Sequence, residues 1–247
     1  MNNDEDTVTK LSIIVPYRDE HKEQKRKEQL KTFVTKMKSL IKDKINSRIY
    51  VIEQSKDDRL FNRGKLLNIG YDISKKDNYN DIIIFHDVDL IPDEELIQHY
   101  FKVPPKNTAV HIASVWNRYN KSNKYFGGIT VFNKHDFESI NGFPNNFWGW
   151  GGEDDELYHR VKQNSISIKK IKKGKIKDLE NLELSKKLSY LKDKKLKNNV
   201  KWELRKEHDK TWFKNGLSNL HYKILNKTVK DKGFYHHIIV DATIEKD

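Results

Sequence analysis

Asp81-Ile82-Ile83-Ile84-Phe85-His86-Asp87-Val88-Asp89 sets four consecutive apolar residues and one histidine before two carboxylates spaced one residue apart. An unbroken apolar run of this length predicts a strand buried on both faces of a parallel sheet. Its carboxyl end is where open α/β sheets bind ligands. Asp87 and Asp89 would sit there. Two hard oxygen ligands flanking one residue suit Mg²⁺ or Mn²⁺, and either ion can bridge a diphosphate that the acids alone would repel.

The same grammar extends upstream. Leu11-Ser12-Ile13-Ile14-Val15 predicts a first buried strand, with Pro16, Tyr17 and Arg18 at its carboxyl end. Leu30, Phe33, Val34, Met37, Leu40 and Ile41 follow at helical spacing, so a crossover helix is expected. Arg48–Gln54 reads as the second strand. Phe61-Asn62-Arg63-Gly64-Lys65 opens another helix, and its basic residues lie close to the free N–H groups of a helix start, a phosphate-binding arrangement.

Downstream, the pattern predicts a helix from Asp93 to about Phe101 and a strand over Ala109–Val115. A further strand, Tyr125–Phe132, is entered through Gly127-Gly128, and a helix over Asn133–Ile140 follows. Past Ile171 the chain becomes lysine-rich with spaced leucines, and Phe234–Asp241 reads as a closing strand. The fold class expected is α/β, a mainly parallel mixed sheet flanked by helices. Residues 1–10 read as a flexible tail and 11–247 as one domain, with a lid or helical insertion at about 172–210.

Trp148-Gly149-Trp150-Gly151-Gly152-Glu153-Asp154-Asp155-Glu156 joins two indoles, three glycines and four carboxylates. Indole faces stack on pyranose rings, glycines admit a ligand to the backbone, and carboxylates accept hydroxyl protons. Asp154 or a neighbour is a candidate general base. The same acids also suit the start of a helix through Leu157, Tyr158 and Val161.

The 247 residues carry 48 Lys+Arg against 36 Asp+Glu, a net charge of +12. That field attracts phosphates, nucleic acids or anionic surfaces. Arginine and aromatics are not interleaved along one face, so no nucleic-acid partner is expected. With no cysteine there is neither a disulfide framework nor a thiolate metal site. No apolar run is long enough to span a bilayer, and Met1–Lys10 lacks the apolar core of a secretory signal. These features predict a cytosolic protein, in a cell or in the cytosol of a virus-infected host.

Six motifs, in order and at matching spacing, resemble the β-1,4-galactosyltransferase family: Pro16-Tyr17-Arg18, Phe61-Asn62-Arg63, Asp87–Pro92, Tyr125–Gly128, Asn141–Asn146 and Trp148–Glu156. The resemblance covers residues 11–171 and resumes from Gly216 to Asp241. It implies a GT-A type, Rossmann-like glycosyltransferase fold and inverting transfer of galactose from UDP-galactose to a glycan hydroxyl, with Mn²⁺ or Mg²⁺. By matching positions, Pro16, Tyr17, Arg18, Phe61, Arg63, Asp87 and Val88 would bind the donor, with Asp89 on the metal. Asp154 would be the base. Gly128, Glu153 and Asp155 would hold the acceptor, Trp150 would close over both sugars, and Tyr125 would favour galactose over N-acetylgalactosamine.

One departure stands out. Family members complete the metal site with a histidine after the acidic motif, and this chain has none between His159 and His208. Aligning Gly174 with the family glycine puts Asp178 and Asn181 at the ligand positions; counting from Glu153 puts Glu180 and Glu183 there. His86 and Glu156 resemble the branch acting on xylose, whereas Asn141–Asn146 and Gly151-Gly152 resemble the branch acting on N-acetylglucosamine. UDP-N-acetylgalactosamine or UDP-glucose as donor, and a silent sugar- or nucleotide-binding relative, remain the alternatives at this point.

Overall fold

From Leu11 to Tyr17 every residue is buried, which requires layers on both faces of the strand. The computed structural model describes residues 9–119 and 122–244; most of the predicted tail, residues 1–8, lies outside the described residues. In chain order the first half comprises β1 (Lys10–Tyr17), α1 (Arg26–Ile41), β2 (Asn46–Gln54), α2 (Arg63–Lys76), β3 (Ile82–His86), β4 (Leu90–Pro92), α3 (Glu94–Ile97), β5 (Thr108–His111) and β6 (Ile129–Phe132). Then come α4 (Lys134–Ser139), α5 (Glu153–Gln163), β7 (Ser167–Lys170), β8 (Ile176–Asp178), α6 (Leu184–Asp193), α7 (Lys201–Lys206), α8 (His208–Thr211), β9 (Lys223–Lys230) and β10 (Tyr235–Asp241).

Eight strands form one sheet in the order β7-β5-β6-β3-β1-β2-β10-β9. β1 lies parallel to both β2 and β3, and β10 runs parallel to β2. β6 and β9 run antiparallel to β3 and β10, so the sheet is mixed. The first crossover places β2 on one side of β1 and the second places β3 on the other, which opens a crevice at the carboxyl ends of β1 and β3.

Successive side chains in these strands feed opposite cores. Ile13, Val15, Ile49, Val51, Ile82 and Ile84 pack with Phe33 and Met37 of α1 on one face. Ile14, Tyr50, Ile52, Ile83 and Phe85 pack with α2, Phe137 of α4 and Leu157 of α5 on the other. The period-2 geometry of a strand makes a continuous apolar run serve both layers at once.

Three segments differ from expectation. The strand expected over Ala109–Val115 stops at His111 and continues as a 3₁₀ turn, where the Ser114 hydroxyl donates to the carbonyls of His111 (2.8 Å) and Ile171 (2.7 Å). Within Tyr125–Phe132 only Ile129–Phe132 joins the sheet, leaving Gly128 to accept a hydrogen bond from the Asp87 N–H at 2.9 Å. The lysine-rich stretch is not helix alone: β8 pairs antiparallel with β4 before α6 begins. Trp150 is tied to the same region, donating its N–H to the Leu196 carbonyl and accepting from Asn198 N–H.

Helix α2 lies close against β1 and β2. A Cβ added at Gly70 would fall 2.2 Å from Ile14 Cγ2 and 3.0 Å from Ile52 Cγ1, so the helix could not keep its seat. Gly70→Ala is expected to lose about 1–3 kcal/mol, the usual range for overpacking a core, as a lowered urea midpoint.

Candidate active site

The crevice at the ends of β1 and β3 is a cleft of about 310 Å³. Pro16, Tyr17 and Arg18 border it from β1, Phe61 and Arg63 from the start of α2, and Asp87, Val88 and Asp89 from β3. Tyr125 and Trp150 stand over it, and Glu153, Asp154 and Asp155 enter from the first turn of α5. Gly128 is not in the lining. It braces Asp87 from behind instead.

Local chemistry explains how these side chains arrive. Asn62 caps α2, its side chain accepting from the Lys65 N–H at 3.0 Å, so Arg63 occupies the first helical position facing the strand ends. Gly152 precedes α5 at φ 103°, and a Cβ there would lie 2.8 Å from the Phe147 ring; only glycine makes this entry without strain. The opposite wall is equally close, since a Cβ at Gly127 would fall 2.0 Å from Asp154 Oδ2.

Arg63 joins the two acidic motifs. Its Nε donates to Asp87 Oδ1 at 2.8 Å, one terminal nitrogen donates to Asp154 Oδ1 at 2.7 Å, and Glu153 lies 3.7 Å from that nitrogen. One guanidinium thus faces three carboxylates. Enclosure in the cleft, together with their mutual repulsion, raises the pKa of Asp87, Glu153 and Asp154 despite Arg63, and Asp154 is raised well above the usual carboxylate range.

Asp89 behaves in the opposite way. Burial pushes its pKa up, but the charges of Arg26 and Lys187 outweigh that and hold it at about 2. Arg26 donates to Asp89 Oδ2 at 2.9 Å and reaches Glu180 at 3.4 Å. The β4–β8 pairing sets Leu90 opposite Asp178, and Leu179 N–H donates to the Asp89 carbonyl at 2.7 Å. Beyond it the chain turns, with Asp178 Oδ1 accepting from Glu180 N–H (2.9 Å) and Asn181 N–H (3.3 Å).

That turn brings carboxylate oxygens of Asp89, Asp178 and Glu180 within 4.8 Å of one another. The group takes one residue from each of the two alignments weighed above. Asn181, with φ 47°, is exposed, and Glu183 is exposed ahead of α6. Three hard oxygens fit Mn²⁺ or Mg²⁺. Arg118 bonds Asp178 at 2.7 Å and Glu180 at 2.6 Å, and Lys187 bonds Glu180 at 2.7 Å, so cations already balance the acids.

Several cleft residues escaped the sequence reading: Arg26, Trp116, Tyr119, Lys187 and Lys201. Tyr119 stacks on Tyr125 at 4.3 Å between ring centroids. The aromatic and basic run Trp116-Asn117-Arg118-Tyr119 was the available signal, but nothing local ties it to a site.

Comparison with known proteins agrees with this geometry. A family model for the N-terminal region of glycosyl transferase group 7 matches residues 3–101, and one for the N-terminal domain of galactosyltransferase matches 107–183. β-1,4-Galactosyltransferase 4 of Cricetulus griseus is 33% identical over 238 residues, 95% of this chain and 64% of that one; β-1,4-galactosyltransferase 1 of Mus musculus is 34% identical over 240 residues, 94% and 54%. The chain belongs to the β-1,4-galactosyltransferase family.

The catalytic domain of Drosophila β1,4-galactosyltransferase 7, in complex with xylobiose, superposes with a TM-score of 0.76 at 27% identity, covering 97% of this chain and 96% of that one. A mutant of that enzyme, in complex with manganese, UDP-Gal and xylobiose, matches equally well. The chain therefore has the GT-A fold.

It spans 54–64% of the length of these curated relatives, and such relatives are Golgi-resident type II membrane enzymes, which overturns the expectation of a cytosolic protein. Two inferences failed together. Among the described residues no helix is long and apolar enough to cross a membrane, yet an anchor need not lie within a matched catalytic region. A sheet buried on both faces also needs no disulfide, so the lack of cysteine does not report the redox compartment.

Removing Arg63 strands three acids around an empty space. Arg63→Met is expected to cost about 3 kcal/mol at neutral pH, the scale for breaking a buried ion pair. The deficit should narrow as pH falls, because carboxylates with raised pKa take up protons in the folded state and neutralise themselves. Urea unfolding at several pH values reads both effects.

Proposed function

We propose that this protein transfers galactose from UDP-galactose to a hydroxyl of a glycan acceptor in a single inverting displacement. The observation that carries the reading is Arg63 holding Asp87 and Asp154 across one cleft, at 2.8 and 2.7 Å, so that the donor-side acid and the base address the same space. Residues 11–247 act as one catalytic domain, with about 172–210 as its lid.

In this reading Tyr17, Arg18, Phe61 and Arg63 seat the uridine diphosphate, with Asp87 and Val88 beside it. Arg26 and Lys187 add positive charge at the diphosphate end. Mn²⁺ or Mg²⁺ held by Asp89, Asp178 and Glu180 would supply Lewis-acid stabilisation of the leaving diphosphate. Asp154 takes the proton of the acceptor hydroxyl as its oxygen bonds to the anomeric carbon and the bond to the β-phosphate oxygen breaks. Glu153 and Asp155 orient the acceptor, and Trp150, tethered to Leu196 and Asn198, covers the sugars and excludes competing water. Tyr125 occupies the wall that discriminates donor sugars.

Galactose is supported by the relatives' names and by the UDP-Gal held in the Drosophila neighbour. The xylobiose in that neighbour supports a xyloside acceptor; the N-acetylglucosaminide reading rests on Asn141–Asn146 and Gly151-Gly152.

The test is UDP release with UDP-galactose, UDP-N-acetylgalactosamine and UDP-glucose, offered xylosides and N-acetylglucosaminides, with and without Mn²⁺. Asp154→Asn is expected to lower kcat by roughly 10²–10⁴ while UDP binding persists. Full turnover in that variant would sink the assignment, and UDP binding without turnover on any donor would favour a silent relative.

Two further outcomes follow from the electrostatics. Because Asp154 must be ionised to act, kcat/KM should fall as pH drops through a value above the ordinary carboxylate range. Replacing Asp178 by Asn and Glu180 by Gln together should raise the Mn²⁺ concentration needed for half-maximal activity at least tenfold, about 1.4 kcal/mol of metal binding.

A further inference from the structure

A second cluster of ligating side chains lies outside the cleft, one turn along α5 from Asp154. Glu156, His159 and Gln163 are spaced three and four residues apart and share one face of the helix. α8 begins at His208 and lays that buried ring against them. His208 Nδ1 is 2.8 Å from Glu156 Oε1, and its Nε2 meets Gln163 Oε1. The His159 and His208 rings stack at 3.8 Å with 20° between their planes.

We propose that Glu156, His159 and His208 form a site for a divalent transition-metal ion of the Zn²⁺ type, joining α8 to the helix that carries the candidate base. One carboxylate and two imidazoles offer ligand atoms within 4.8 Å of one another. Glu156 is 2% exposed, and its Oε2 is buried without a hydrogen-bond partner among the described residues. Its Oε1 is already shared by Arg160 Nε, at 2.9 Å, and His208.

Arg160 does not compete for the free oxygen, because its other nitrogens donate to the carbonyls of Asn141, Gly142 and Asn215. Gln163 occupies the Nε2 side of His208, which leaves Nδ1, on the side of Glu156, as the ring nitrogen to ligate a metal. His₂Glu with an open fourth position is a donor set that Zn²⁺ adopts. The Glu-x-x-His spacing sets both ligands on one helical face, as in carboxylate-bridged metal bundles. His159 is exposed and gives the ion a route from solvent. Imidazole donors favour Zn²⁺ and Co²⁺ over Mn²⁺ and Mg²⁺, which separates this site from the all-oxygen group at Asp89.

The test is a Co²⁺ titration of the whole chain, stripped of metal and held in excess Mg²⁺ to fill the oxygen group. One equivalent of Co²⁺ should produce the intense visible bands of low-coordinate, nitrogen-ligated cobalt, and Zn²⁺ should bleach them. His159→Ala and His208→Ala should abolish the bands, while His135→Ala, an exposed histidine on α4, keeps them. His159 is exposed, so its variant reports on the metal even where His208→Ala fails to fold. Zn²⁺ should raise the Tm of the wild type and leave that of His159→Ala unchanged. Weak six-coordinate bands alone, or bands that survive His159→Ala, would overturn the proposal and leave His208 a hydrogen-bond partner of Glu156 and Gln163.

Discussion

The guanidinium of Arg63 is the contact on which the cleft depends. Asp87 arrives on a buried strand and Asp154 on the first turn of a helix, two acidic motifs far apart in sequence that would repel one another if brought together alone. Arg63, set by its cap at the start of α2, bonds both at charge-assisted distances. Burial in the cleft, together with Glu153 and Asp87 crowding the same single cation, leaves Asp154 with a basicity that an exposed carboxylate lacks.

The other half of the cleft reverses that balance. Asp89 faces Arg26 and Lys187, and the surplus of cations holds it ionised. Two aspartates lining one cleft, Asp154 and Asp89, thus acquire opposite character from their surroundings: one is fitted to take a proton, the other to remain an anion that holds cations. The division follows the chain's elements, since Arg63 belongs to α2, while Arg26 and Lys187 come from α1 and α6.

What was legible in the sequence was what depends on local period. Ile82–Phe85 and Leu11–Val15 could be read as doubly covered strands because a continuous apolar run has few other uses, and the carboxyl ends of those strands located Arg18, Asp87 and Asp89. Pairings between distant short segments were not legible. β8 is three residues long and carries no apolar alternation of its own; it is a strand only because Leu90–Pro92 lies beside it. β9 is exposed along its whole length and is held by β10, so its sequence carried no core signal. The metal-ligand positions were ambiguous for the same reason. Counting along the chain offered Asp178 with Asn181 or Glu180 with Glu183, whereas the turn after β8 brings Asp178 and Glu180 together beside Asp89.

The lysine-rich segment, expected as a lid or helical insertion, has a structural part in both halves of the cleft. It supplies Asp178 and Glu180 to the Asp89 side, Lys187 as their counter-ion, and the Leu196 and Asn198 backbone groups that hold Trp150. It also supplies His208, packed behind the first turn of α5. The net charge of +12 carried by the whole chain attracts phosphates without specifying one. Specificity has to come from the few cations that are fixed by carboxylates, because a flexible lysine in water keeps its own hydration and entropy, whereas a paired one has already given them up. Asp178, Glu180, Lys187 and the backbone groups that hold Trp150 thus belong to one stretch of chain, while Arg26 on α1 and Arg63 on α2 pair Asp89, Asp87 and Asp154 independently of it.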